Sequence, residues 1–260
     1  MGTALVTGAS AGLGRAFAVE LADRGHDVVL VARDRDRLQS LADEIVRRYA
    51  VQAEVLPADL ADRDQLRRVA ERVSDPDRPV DLLDNNAGFG LRQRFSTGDV
   101  HAEEQALDVM VRAVLVLTHA AVGPMRERGH GAVLNVSSVA GFAVMGTYSA
   151  IKSWVTVFSE AVATELDGTG VTVTALCPGF VHTEFHERAE MNMSRVPDAL
   201  WLHAHAVAQD ALDDVSAGRV VSVPSAQYKA LTATLRLLPR PLVRRASGSV
   251  ARRRRRKPRG

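Results

Sequence analysis

The chain has 260 residues, 46% of them hydrophobic, which suits one large core and excludes an intrinsically disordered protein. No run of 18 apolar residues appears and no signal peptide precedes the first apolar stretch, so a soluble, cytoplasmic protein is expected. The single cysteine, Cys177, excludes an internal disulfide. It lies at the end of an apolar run, before Pro178, where it reads as packing rather than as a nucleophile.

Residues 3–7 form the first expected strand, and Leu13, Phe17, Ala18 and Leu21 follow with helical spacing. Gly8, Gly12 and Gly14 occupy the turn between them. There a pyrophosphate can meet backbone N–H groups and the positive helix end, so this turn predicts dinucleotide binding. The second strand, 28–32, ends in Ala32 and is followed by Arg33. An acid at that point would grip a ribose 2′-hydroxyl, whereas arginine accommodates a 2′-phosphate. NADPH (NADP+) is therefore expected over NADH, with Arg15 and Arg37 in support. A shifted loop would instead bring Asp34 or Asp36 to the hydroxyl. After the third strand, 52–57, Asp59 either reaches an adenine edge or caps the next helix.

The remaining strands are expected at 80–85, 132–137, 171–176 and 218–222, and the two longest helices at 99–128 and 148–167. Strands one, two, four, five and six are nearly continuous apolar runs, as strands covered on both faces should be. Alternation of strands and helices predicts an α/β, doubly wound parallel sheet of about seven strands in a single domain, residues 1–239. Asp84 ends an apolar strand and suggests no role. Tyr148 and Lys152 are four apart and share a helix face. An ammonium beside a phenol favours the phenolate and should lower its pKa towards working pH, where proton donors act best. The plain alternative is a half-buried tyrosine beside a solvated lysine.

Residues 178–216 are too many for a simple connection and read as a substrate lid carrying Phe185, Met191, Met193, Leu200 and Trp201. His182 and His186 have a metal-binding spacing but no evident third ligand, so no metal is expected. His203 and His205, two apart, cannot share a helix face. From Arg240 onward there are ten basic residues and no acid, against a net charge of +2, so the first 239 residues carry about −8. The 240–260 stretch reads as a disordered tail, either simply solvated or drawn to an anionic membrane surface. Nucleic acid is disfavoured because no aromatics interleave the arginines. Tyr228–Val243 could form an amphipathic interfacial element, a subunit contact or core packing.

T-G-A-S-A-G-L-G, A-D-L at 58–60, N-N-A-G at 85–88, N-V-S-S at 135–138, Y-S-A-I-K at 148–152 and P-G-F-V-H-T at 178–183 occur in one order. In that order residues 3–222 resemble the short-chain dehydrogenase/reductase family. The resemblance implies a Rossmann fold and hydride transfer between a nicotinamide and a carbonyl or alcohol. Tyr148 would be the acid/base, Lys152 would bind the nicotinamide ribose and tune the phenol, and Ser138 would hold the substrate oxygen, with Ser137 as the alternative. Cofactor contacts are implied for Gly8, Ser10, Gly12, Leu13, Gly14, Asp59, Leu60, Asn86, Ala87 and Gly88. Pro178, Gly179, Val181 and Thr183 would close over the nicotinamide. The family also implies a dimer or tetramer through the two long helices.

Two departures stand out: Met110 occupies the place of the family's catalytic Asn in a V-N-V string, and Ser138 and Tyr148 are ten residues apart where thirteen is common. The resulting expectation is an NADPH-dependent reductase of a bulky hydrophobic carbonyl, such as a 3-oxoacyl, steroid-like or quinone-like ketone, with loose similarity to 3-oxoacyl and mycolate-type reductases. The alternative is a cofactor-binding sensor or scaffold without turnover, which Met110 favours.

Overall fold

In the computed structural model, which describes residues 2–91, 93–185, 197–245 and 247, seven strands form one parallel sheet. They are β1 (Thr3–Thr7), β2 (Asp27–Ala32), β3 (Ala53–Pro57), β4 (Leu82–Asn85), β5 (Gly131–Val136), β6 (Val171–Leu176) and β9 (Val221–Ser222). Their order is β3-β2-β1-β4-β5-β6-β9, the doubly wound arrangement expected from the sequence. Strand order reverses between β1 and β4, and ligands of such sheets bind in the crevice beyond the carboxyl ends at this point. Helices on both faces bury two apolar layers.

On one face, α1 (Gly12–Asp23) and α2 (Arg35–Arg48) lie with α7 (Ala204–Ser216) over the sheet, burying Phe17, Leu38 and Val207. On the other lie α3 (Arg63–Val73), α5 (Ala113–Arg128) and α6 (Thr147–Glu165), burying Leu66, Leu117 and Leu166 among others. The long helix expected at 99–128 is interrupted: α4 (Val100–Leu107) passes through a π-helical turn, Asp108–Arg112, into α5. The whole run Val100–Arg128 is long and apolar enough, by length and composition, to cross a membrane. Here it serves as a core helix, with Ala106, Met110, Leu117 and Ala121 nearly inaccessible to solvent.

The segment read as one long lid divides in two. Phe180–His182 (β7) and Trp201–His203 (β8) pair as a small parallel ribbon. Residues 204–216 instead form α7, whose Val207, Ala208, Ala211 and Leu212 are buried in the layer that contains α1, so they are core rather than lid. Met191, Met193 and His186 lie outside the described residues, as does the arginine run 252–256. Beyond α8 (Ala226–Leu237), residues 240–245 are helical and Val243 is buried, so the expected disorder does not extend to them.

Candidate active site

The glycine loop meets β4 at very close range. Gly8 has φ +70°, and a Cβ there would lie 2.9 Å from the Ala87 Cα. A Cβ on Gly14 would lie 2.4 Å from the Gly8 carbonyl oxygen and from Asn86 Nδ2. Gly12, at φ +56°, faces the Thr183 side chain, which brings the 178–183 segment over the loop. The α1 N-terminus has no side-chain cap and no acid in its first turn. These uncapped N–H groups at the positive helix end, reached over bare glycine backbone, fit a pyrophosphate. Ser10 and Leu13 are half-buried in the same turn, Leu13 packing inward on the α1 layer.

Thr7 holds the facing loop. Its Oγ1 donates to the Asp84 carbonyl and accepts from the N–H groups of Asn86 (3.0 Å) and Ala87 (3.1 Å), while Asn86 Nδ2 donates to the Thr7 carbonyl (2.9 Å). Asn85 Nδ2 donates to Thr118 Oγ1 and Asn135 Oδ1, and Asn135 Nδ2 donates to Ser159 Oγ. This buried chain ties α5, β4, β5 and α6 together under the site. None of these anchoring roles for Thr7, Asn85 and Asn135 was read from the sequence. Their signal was polarity at the ends of otherwise apolar strands.

Just beyond the carboxyl end of β2, Arg33 is exposed and has no acid partner among the described residues. Arg15 pairs with Glu44, and Arg37 with Asp34 and Glu184. Asp34 caps α2, accepting from the Arg37 N–H. Asp59 does not cap α3: Asp62 does, and Asp59 Oδ1 accepts from the Ala61 N–H. The Leu60 side chain is buried with Leu66 and Val69, leaving only its main chain to meet a ligand.

Around the reactive end the structure brings Ser138, Tyr148 and Lys152 together. Ser137 is buried, its hydroxyl 2.6 Å from the Lys152 carbonyl and 2.7 Å from Thr156 Oγ1, so it belongs to α6. Ser138 is half-buried; its Oγ accepts from the Ala140 N–H (3.1 Å) and lies 3.5 Å from the Pro178 carbonyl oxygen. The shorter connection between them is spanned by a 3-10 turn, Val139–Phe142, in which Gly141 rests on the α6 backbone; a Cβ there would be 2.9 Å from the Lys152 carbonyl carbon. Lys152 is buried, donates from Nζ to the Val136 carbonyl (2.8 Å) and lies 5.7 Å from the Tyr148 ring centre.

The electrostatics correct the sequence expectation. Burial pushes the Tyr148 phenol above its ordinary value, and the nearby Ser138 hydroxyl opposes this only in part. Burial also lowers Lys152 to about 8. Each group loses solvation of its charged form, and that loss is the largest cause of both shifts. Tyr148 therefore keeps its proton at neutral pH. Cys177 is fully buried with a raised pKa and touches Thr156, as expected for packing. Among the described residues no cluster of metal ligands exists.

Met110 sits in the π turn beside this group. A Cβ on Gly88 would lie 3.2 Å from Met110 Sδ and 3.7 Å from Lys152 Nζ, so the thioether and the ammonium bracket the same backbone. Apolar groups surround the phenol: Phe185 lies 6.1 Å from Tyr148 between ring centres, and Phe89 and Leu91 pack with Tyr148 around Met110 and Ile151. On the far side, Pro178 accepts from the Val139 N–H, Val181 is buried, and the Tyr228 ring lies on Gly179 so closely that a Cβ there would be 1.9 Å from it. The Tyr228 hydroxyl accepts from the Phe180 N–H (3.1 Å) and donates to the Leu200 carbonyl (2.7 Å). Its role in fixing this segment was missed in the sequence.

Residues 2–194 match the family described as short chain dehydrogenase. A sulfoacetaldehyde reductase of Chromohalobacter salexigens is 36% identical over 186 residues, 70% of this chain and 73% of that protein. A short-chain dehydrogenase from Sphingobium yanoikuyae, solved in complex with NADPH, superposes with a TM-score of 0.83 at 32% identity, covering 90% of this chain and 93% of that one. A bulky-bulky ketone specific alcohol dehydrogenase from Comamonas testosteroni gives 0.78 at 27% identity, covering 92% and 96%.

Proposed function

The chain belongs to the short-chain dehydrogenase/reductase family of NAD(P)-dependent oxidoreductases, and within it we propose an NADPH-dependent reductase of bulky hydrophobic ketones. The observation that carries this reading is the apolar wall of Phe185, Phe89 and Leu91 around a Tyr148 that retains its proton. The Comamonas enzyme, named for bulky ketones, supports the size of the substrate. Arg33, free of acid partners among the described residues, supports the 2′-phosphate, as does the NADPH held by the Sphingobium relative.

The cofactor would lie along Gly8, Gly12, Gly14 and Asn86–Gly88, under Pro178–Thr183, and when bound supplies the hydride. The chain's own residues manage the oxygen. As the carbonyl carbon gains hydride, its oxygen gains negative charge, which needs donors already aimed at it; loss of one such donor typically costs about 3–4 kcal/mol. Ser138 and Tyr148 are those donors, and Tyr148 transfers its proton to complete the alcohol. The Lys152 ammonium stabilises the phenolate left behind and is held in place by Val136. Exposed Leu115 and Val157 on α5 and α6 support a homo-oligomer through those helices.

A second reading, a cofactor-binding protein without turnover, rests on the Met110 thioether packed beside Lys152. NADPH consumption with a panel of hydrophobic ketones separates the two. Wild-type protein should oxidise NADPH, and Tyr148→Phe should lose about 100-fold or more in rate while binding NADPH equally well. Arg33→Ala should raise KM for NADPH about tenfold or more and leave NADH use unchanged, the loss expected for one charged hydrogen bond. Wild-type rates no higher than those of Tyr148→Phe across the panel would establish the binder.

A further inference from the structure

The C-terminal surface combines exposed leucines with unopposed positive charge, and both lie against the loop that precedes Tyr148. Leu237 at the end of α8 is 86% exposed, and Leu238 and Leu242 follow it on the outside of the turn at Pro239. Arg240, Arg244 and Arg245 are exposed among them. Ser247 Oγ accepts from the Val144 N–H (3.2 Å), and Arg236 lies 4.9 Å over the Phe142 ring, so this surface adjoins the 142–147 loop. Val144 and Met145 in that loop are themselves exposed, at 42% and 43%.

We propose that this surface docks on an anionic lipid bilayer and turns the mouth of the Tyr148 site towards the membrane. Charge selects the occupant. By sequence the stretch from Arg240 onward carries ten basic residues against about −8 on the preceding 239, and the exposed Arg240, Arg244 and Arg245 place part of that charge on this surface, where it attracts an anionic one. That asymmetry imposes one orientation. Leucines between arginines then suit the headgroup–acyl boundary, where apolar side chains insert and guanidinium groups meet lipid phosphates. A nucleic acid would use the arginines but leave the leucines in water, and the Phe142 ring lies half-buried under Arg236 rather than open to base stacking. A lipophilic ketone dissolved in the bilayer would reach the site without crossing water. This last step rests on the reductase reading; the docking does not.

Flotation of the full-length protein with phosphatidylcholine vesicles, with and without phosphatidylglycerol, tests the proposal. Binding should be at least tenfold stronger with the anionic lipid. Leu237→Glu combined with Leu242→Glu should weaken it at least tenfold, and because both side chains are exposed, thermal unfolding and turnover of a soluble ketone should stay at wild-type values. Absence of binding, equal binding to neutral vesicles, or binding untouched by the double substitution would overturn docking through this surface. Loss of a dimer in the double variant, without vesicle binding by the wild type, would assign the surface to a second copy of the chain. Flotation needs no turnover, so vesicle binding by a protein inactive on every ketone refutes only the reductase reading. An active enzyme that stays with the aqueous fraction refutes only the docking.

Discussion

Tyr148 and Lys152 show how burial can reverse the effect of proximity. Their i,i+4 spacing puts cation and phenol on one face, yet the structure raises the phenol and lowers the lysine to about 8. The arrangement is poised to give a proton rather than to take one, which agrees with a reductase. It also sets a pH dependence. Below about 8 Lys152 is an ammonium and can stabilise the phenolate that proton transfer creates; above it the charge is lost. The kcat/KM for ketone reduction should therefore fall as pH rises through about 8. Lys152→Arg, charged at every accessible pH, should be slower but should not show that fall. A wild-type profile flat through that region would mean the cation plays no part in the step.

At the scale of elements, the site depends on irregular pieces. The π turn at Asp108–Arg112 carries Met110 to Gly88 and Lys152, in keeping with the frequent placement of such turns at functional sites. Helix α8 reaches the 178–183 segment through Tyr228, whose hydroxyl serves the Phe180 N–H and the Leu200 carbonyl together and so joins the P-G-F segment to the β7–β8 ribbon. Tyr228→Phe leaves the ring on Gly179 but strips both backbone groups of their partner. It should cost about 1–3 kcal/mol in thermal or denaturant unfolding and weaken NADPH binding, while Thr232→Val, one turn further along α8, should leave NADPH binding unchanged. Equal cofactor affinity in Tyr228→Phe and wild type would restrict Tyr228 to a structural role.

For the molecule as a whole, Asp84 is a buried liability. It is fully inaccessible, pairs in register with Val6 and Leu134, and neither carboxylate oxygen has a partner among the described residues. Burial holds its pKa well above the ordinary value, so the folded state keeps a proton that the unfolded chain releases above about pH 4. The unfolded state then binds fewer protons, and stability is lost as pH rises from that range towards the folded pKa. Asp84→Val should remove this decline and add about 1–3 kcal/mol at neutral pH, which is several degrees in Tm for a domain of this size. An unchanged or lower Tm, or an undiminished slope of stability against pH, would show that Asp84 has a partner that the geometry does not reveal.

Local pattern sufficed for whatever depends on neighbours along the chain. Apolar runs located five of the seven strands of the main sheet, and the glycine spacing marked the turn where helix and strand approach closely. Residue types in Y-S-A-I-K and N-V-S-S marked the candidate group that packs together at Ser138, Tyr148 and Lys152. Three-residue strands such as β7 and β8 carry too little period to be read, and 204–216 looked like lid because nothing local says that its apolar face meets the layer of α1. The choice of Ser138 over Ser137 and the capping of α3 by Asp62 turn on which way side chains point once packed. The amino-acid sequence alone thus determined the sheet and the glycine turn, and singled out Ser138, Tyr148 and Lys152 as the candidate reacting groups. Tertiary structure decided their protonation, because desolvation is a property of everything packed around a group and outweighs the single neighbour that spacing supplies.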